Sequence, residues 1–182
     1  MNEDTKEYLD SWRLRMAGIQ GTDLRALFDK FSTLYTLYNR FYNDSFRVLQ
    51  SQDQLAKPRY SDFEKATSLV VLFNSAEDVI GRLEANSNIS DVDCIANLIE
   101  NDIFHINLAD GVSQKTLDIQ LMENLRSENN AVRVQAILSA IYNVRNNIQH
   151  AEKHFEEPQR LLLEPLIRIL QTIVILQEEK LS

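Results

Sequence analysis

The sequence predicts an all-α protein, an up-and-down bundle of five to seven helices built as a single domain over residues 1–182. Three observations carry that expectation. Apolar residues recur at steps of three and four along most of the chain, which is the period of an amphipathic helix. Only four Gly and three Pro are present, too few for the turns of an all-β fold or for long linkers. A length of 182 residues, with 44% apolar and 25% charged, suits one globular domain with a substantial core.

From the N-terminus, residues 4–19 read as a first helix with Tyr8, Leu9, Trp12, Met16 and Ile19 on one side. Gly21 and Thr22 break it, and Thr22 is a plausible N-cap for the second helix. Residues 23–50 form one long helix whose stripe includes Phe28, Phe31, Tyr35, Tyr38, Phe41 and Tyr42. So many aromatics could stack on bases, but stacking platforms set exposed aromatics among cations, and only Lys30, Arg40 and Arg47 stand nearby. A bulky core face is the better account. Residues 51–60 are a polar loop containing Pro58. Ser61 with Glu64 then matches a capping box, opening a helix to about Phe73. Ser75 caps a restart or bend that continues to about Ala85.

A turn over 86–90 precedes a short helix carrying Val92, Ile95, Leu98 and Ile99. Cys94 lies on that helix, where inert packing is expected. Residues 102–113 are the least regular: Phe104, Ile106 and Leu108 alternate like a short extended piece, His105 reads as a partly buried loop residue, and Asp110-Gly111 marks a turn. A helix over 114–126 carries Leu117, Leu121, Met122 and Leu125. The next helix, from about 130, has Val134, Ile137, Ile141, Val144 and Ile148 on one face, with Ser127 or Asn130 as its cap. In the last helix Pro158 suits the first turn, and Pro165 either kinks the helix or begins it. From Ile169 to Leu176 that helix is apolar nearly all round, so it should be buried on more than one side.

Charge and composition narrow the function. The net charge of −8 disfavours wholesale nucleic-acid binding without excluding a local basic cleft, and no DNA partner is expected. No apolar run reaches the roughly 18 residues of a membrane span, so no membrane partner is expected. The acidic, polar stretch Met1 to Glu7 is unlike a signal or transit peptide, and a lone Cys94 suits a reducing compartment; a cytoplasmic protein is expected. No Gly-rich phosphate loop, nucleophile elbow or zinc-type cysteine pair stands in the sequence, and no cofactor is expected. His150 and His154 are four apart, a spacing that can present two metal ligands, but Ala151 stands where the metalloprotease pattern needs Glu. No metal site is expected.

The candidate chemistry lies late in the chain. Asn143, Asn146, Asn147 and His150 share one face of their helix, with Arg145 at its edge. Asn is a poor helix former, because its side chain competes with the backbone, so this stripe weakens the helix that carries it. An imidazole can take a proton from a hydroxyl or give one to a leaving group near neutral pH. A guanidinium can stabilise charge developing on a phosphate, and amides can orient phosphate or ribose without titrating. Together they suit cleavage of a ribose phosphodiester by its own 2′-hydroxyl without a metal. Lys153 and Arg133 are further candidate substrate contacts. The plainer alternative is that Arg145 pairs with a carboxylate and His150 ends the helix.

Residues 141–153, from Ile141 through Arg145-Asn146-Asn147-Ile148-Gln149-His150 to Lys153, resemble the signature of HEPN domains (higher eukaryotes and prokaryotes nucleotide-binding). That signature is Arg, usually a polar residue, then His a few residues on, late in a helical bundle. One branch is matched here at Arg145, Asn146, Asn147, His150 and Lys153. Gln149 stands for its aromatic residue and Ala151 for its Gly. The early helix from Phe28 to Asn39 is similar to that of larger members. The resemblance implies a HEPN-like bundle that forms a homodimer through the motif helix, with two motifs facing one cleft. It implies a metal-independent endoribonuclease acting on RNA, in a toxin or phage-defence setting with an antitoxin or defence-system protein as possible partner. Arg145 and His150 would then be catalytic, with Asn146 supporting them and Asn143, Asn147, Lys153 and Arg133 contacting substrate. The alternative within the family is an inactive module that binds protein or nucleotide. Glu152 stands where one toxin branch carries a modifiable Tyr, so that control is not expected. Glu152, Glu156 and Glu157 would repel a phosphate unless paired.

Overall fold

The computed structural model describes residues 3–149 and 157–182. Among these the chain forms nine helical segments and one minimal hairpin: α1 (Glu3–Gly18), α2 (Leu24–Ser51), α3 (Asp62–Ala66), α4 (Ser68–Asn74), α5 (Ala76–Ala85), α6 (Ile89–Glu100), β1 (Leu108–Ala109), β2 (Val112–Ser113), α7 (Lys115–Leu125), α8 (Asn130–Gln149) and α9 (Arg160–Leu181), the last preceded by a 3-10 turn at Glu157–Gln159. The protein is all-α apart from that hairpin. No described helix is long and apolar enough to cross a membrane.

The long helices α2 and α9 pack along each other and form the centre. Phe31, Tyr38, Phe41, Tyr42 and Leu49 of α2 are essentially fully buried, so the aromatic stripe is core. On α9 the apolar run is covered from several sides, by α2, α4, α5 and α6, with only Ile175 notably exposed. The helix begins at Arg160 and continues through the buried Pro165, so it does not start at the proline. This proline lies close to the helix start, where its missing N–H forfeits a single bond. On the other flank α7 and α5 pack on α8, which buries Val134, Ile137, Ile141 and Val144.

Several local expectations need correction. The cap of α2 is Asp23, not Thr22: its carboxylate accepts from the Ala26 amide at 2.8 Å, and a negative group there also meets the positive end of the helix. The cap of α8 is Asn129, whose Oδ1 accepts from the amides of Ala131 and Val132. The capping box at Ser61 and Glu64 is present, but the helix it opens stops at Ala66. There the backbone departs from helix at Thr67, and the buried Tyr38 hydroxyl donates to the Ala66 carbonyl that a continuous helix would have used. Ser75 adopts a φ of 66° and caps α5 by accepting from the Asp78 amide. Asp110 and Gly111 both have positive φ, 49° and 75°, as a two-residue type I′ hairpin turn requires. Cys94 is exposed, because α6 turns Val92, Ile95, Leu98 and Ile99 inward and leaves it on the outer face. Leu117 is exposed too; the buried positions of α7 are Asp118, Leu121 and Leu125.

Candidate functional site

The asparagine stripe of α8 meets the irregular segment before the hairpin, and two of its members are spent there. Asn143 Nδ2 donates to Asn107 Oδ1 at 2.8 Å, and Asn147 Nδ2 donates to the Ile106 carbonyl at 2.9 Å. The far side of that segment is held by Asp118 of α7. Its Oδ1 accepts from the amides of Ile106 (3.1 Å) and Asn107 (2.8 Å) and from Asn107 Nδ2 (2.9 Å). Its Oδ2 lies 3.3 Å from His105 Nδ1. A non-helical strand buried between two helices must find partners for its peptide groups, and these side chains supply them. The helix-weakening asparagines are thus offset by the packing they secure.

Arg145 lies on the other side of α8. Its guanidinium carbon sits 5.0 Å from the centre of the Tyr35 ring on α2, a cation–π arrangement. Its Nη1 donates to Asn146 Oδ1 at 2.9 Å, so Asn146 orients the guanidinium. Its Nε is buried without any hydrogen-bond partner. No carboxylate pairs with Arg145 among the described residues. The other half-buried arginines described each have one: Arg40 with Asp44, Arg82 with Glu179, Arg133 with Asp93 and Arg160 with Glu164. In a chain with 27 acidic and 19 basic residues, a half-buried cation with no carboxylate partner among the described residues is the unusual feature. A buried N–H left without an acceptor costs about 1–3 kcal/mol.

Around Tyr35 the phenols form a cluster. Tyr42 donates to Asp62 Oδ1 at 2.8 Å, and Tyr142 reaches Asp62 Oδ2 at 3.4 Å. The Tyr35 hydroxyl is buried beside that of Tyr42. Burial pushes both phenols well above their ordinary pKa, and the pull of Arg145 only partly offsets it. Both are neutral hydroxyls at any physiological pH.

Three cavities among the described residues bear on where chemistry could occur. A groove of about 670 Å³ is walled by Phe63, Val71, Leu117, Leu121, Val132 and Ala136 with neutral polar residues, and no charged side chain lines it. A second, of about 380 Å³, is lined by Asn107, Gln114, Asn143, Asn146 and Asn147 and is also uncharged. The third, about 110 Å³, lies between α2 and α8 and is lined by Phe31, Ser32, Tyr35, Thr36, Asn39, Arg145 and Ile148. It alone of the three holds a charge.

The sequence candidates thus separate. Arg145 and Asn146 are brought together at the end of α8. Asn143 and Asn147 adjoin them but hold the 104–107 segment. Arg133 is turned toward α6 in its pair with Asp93, and twelve helical residues put it roughly 18 Å along the axis from Arg145. That geometry sets Arg133 apart from the Arg145 cavity. His150, Lys153, Glu152, His154 and Glu156 lie outside the described residues. Sequence reasoning missed Asp118, although it stands in phase with Leu121 and Leu125. It also missed Ser32 and Asn39, although with Thr36 they share one face of α2 at helical spacing. No grouping of metal-ligating side chains occurs among the described residues. No family model, no curated protein and no solved structure matches the chain.

Proposed function

We propose that this chain is a HEPN-like, metal-independent endoribonuclease that acts as a homodimer through α8, in a toxin or phage-defence setting. The observation that carries the reading is Arg145: the first residue of the motif is a half-buried guanidinium with no carboxylate partner among the described residues, held by Asn146 and the Tyr35 ring. Were its role structural, a salt bridge like those of the other half-buried arginines would be expected. A cation kept free is suited to an anionic substrate.

In the proposed reaction His150 takes the proton of a ribose 2′-hydroxyl. The 2′-oxygen bonds to phosphorus while the bond to the 5′-oxygen breaks, leaving a 2′,3′-cyclic phosphate, and the departing 5′-oxygen takes up a proton. Arg145 balances the charge that gathers on the phosphate oxygens in the transition state. The homodimer would bring two such motifs to one cleft.

Incubation of the purified protein with transfer RNA in the presence of a chelator tests this. Wild type is expected to cleave, and Arg145→Ala and His150→Ala to lose at least a hundredfold in rate, the usual scale for removing a charge-stabilising or acid–base group (~10²–10³). Equal cleavage by all three proteins would sink the proposal.

A second reading is favoured by the asparagines. Because Asn143 and Asn147 are committed to the 106–107 backbone and side chain, the polar stripe has a structural purpose without any substrate. The chain would then be a HEPN-like binding or assembly module. That reading predicts a stable complex without RNA cleavage, and toxicity on expression that disappears in His150→Ala would count against it.

A further inference from the structure

The α2 wall of the Arg145 cavity has a chemistry of its own. Asn43 Nδ2 donates both to the Asn39 backbone carbonyl at 2.9 Å and to Asn39 Oδ1 at 2.8 Å. The backbone bond determines which end of the Asn43 amide faces Asn39, and so makes the atom of Asn39 turned toward it the oxygen. Asn39 Nδ2 remains, with two N–H donors that make no hydrogen bond among the described residues. Ser32 also lines the cavity, and its hydroxyl has no partner among them. Thr36 spends its proton on the Ser32 carbonyl at 2.9 Å and serves as wall. The cavity therefore collects an amide NH₂, a serine hydroxyl and a permanent cation, with no carboxylate among its lining residues.

Such a set complements a tetrahedral oxyanion, because every neutral member can donate a hydrogen bond and the cation cannot be discharged. Size agrees. A volume of about 110 Å³ is several times the roughly 10–15 Å³ that one water needs by the same measure. A phosphoryl group is of a size to enter it.

We propose that this cavity is a phosphate subsite, in which Ser32 and Asn39 of α2 complete the coordination that Arg145 begins, and that it takes one phosphodiester of an RNA strand. It rests on the ribonuclease reading only for the source of that phosphate; the recognition chemistry stands on the cavity.

The test uses the full-length protein and three variants, Ser32→Ala, Asn39→Asp and Arg145→Ala, each checked for native circular dichroism. One probe is inorganic phosphate, read as a rise in Tm against chloride at equal ionic strength. The other is a fluorescent 2′-O-methyl RNA oligonucleotide, which cannot be cleaved at its own 2′-oxygen, read by anisotropy. Wild type is expected to be stabilised by phosphate and to bind the oligonucleotide. Ser32→Ala should bind both several-fold more weakly. Asn39→Asp, which replaces two donors by a negative charge at nearly unchanged shape, should lose at least tenfold, as should Arg145→Ala. Should Ser32→Ala and Asn39→Asp bind like wild type, or should wild type bind neither probe, the subsite is overturned. Stabilisation by phosphate with no oligonucleotide binding would overturn RNA as the source. The two proposals fail separately: Arg145-dependent RNA cleavage with unimpaired binding by Ser32→Ala and Asn39→Asp leaves the ribonuclease and removes the subsite, whereas weakened binding in those variants without any cleavage does the reverse.

Discussion

At the residue scale, two charged side chains do opposite jobs. Asp118 is a buried carboxylate that ends up fully occupied, by two backbone amides and two side chains. Replacing it with Ala strands two donors in the interior, and the expected loss is about 2–4 kcal/mol by urea denaturation. Arg145 is a half-buried cation that ends up without a carboxylate among the described residues, and its geometry rather than its charge alone distinguishes it. Arg145→Lys keeps the charge but loses the guanidinium over the Tyr35 ring and the Nε donor, so the proposed RNA cleavage is expected to fall at least tenfold with little change in Tm. Cleavage at the wild-type rate would show that a point charge suffices. The Arg145 motif was visible in the sequence, but its lack of a carboxylate partner among the described residues was not. A guanidinium's partner comes from whichever element packs on it, and spacing within one helix does not name that element.

At the scale of elements, the start of α3 is a local device that the sequence displays completely. Ser61 and Glu64 reciprocate, Lys57 pairs with Glu64, and Ser61→Ala is expected to cost about 1 kcal/mol in thermal or chemical unfolding. The Lys57 hydrogen bond, followed by those from the Ser61 backbone and hydroxyl, lowers the Glu64 pKa from 4.5 to about 2. The folded pKa lies below the unfolded one, so this contribution is complete above about pH 4.5 and is lost as pH falls through about 2. Hydrogen exchange at the first turn of α3 should therefore accelerate across that interval in wild type and not in Glu64→Gln. The break after Ala66 was not legible, because its cause is a hydroxyl from Tyr38, 28 residues earlier. The role of α7 was misjudged for a related reason. Its apolar stripe admits Leu117 or Asp118 as the inward position, and only the partners awaiting Asp118 on the 106–107 backbone decide between them.

At the scale of the whole molecule, the α2 aromatics couple the core to the cavity. Tyr35, Tyr38 and Tyr42 have phenol pKa values raised by burial above the ordinary 10. Their folded values exceed their unfolded ones, so the neutral cluster contributes in full below about pH 10 and loses its contribution as pH rises beyond it. Alkaline unfolding monitored by tyrosinate absorbance should show these three ionising together with loss of helix. Separate titration of all tyrosines before unfolding would contradict the packed cluster. The proposed homodimer has its own signature: sedimentation at rising concentration should give twice the 21.1 kDa chain mass, with a Tm that climbs with concentration.

The all-α class, the positions of most helices, the aromatic core face of α2, the capping signals at Ser61 and Ser75 and the Asp110-Gly111 turn were determined by the sequence alone. Each is a matter of neighbours within a few residues, where backbone geometry and side-chain period act directly. Only the tertiary structure decided that Asp118 turns inward, that Asn143 and Asn147 hold the 104–107 segment, and that Arg145 lies against α2 beside Ser32, Tyr35 and Asn39. Those pairings join residues from 11 to more than 100 positions apart. Which of them form depends on how the helices pack, and a polar group's task is set by the partner that packing brings to it.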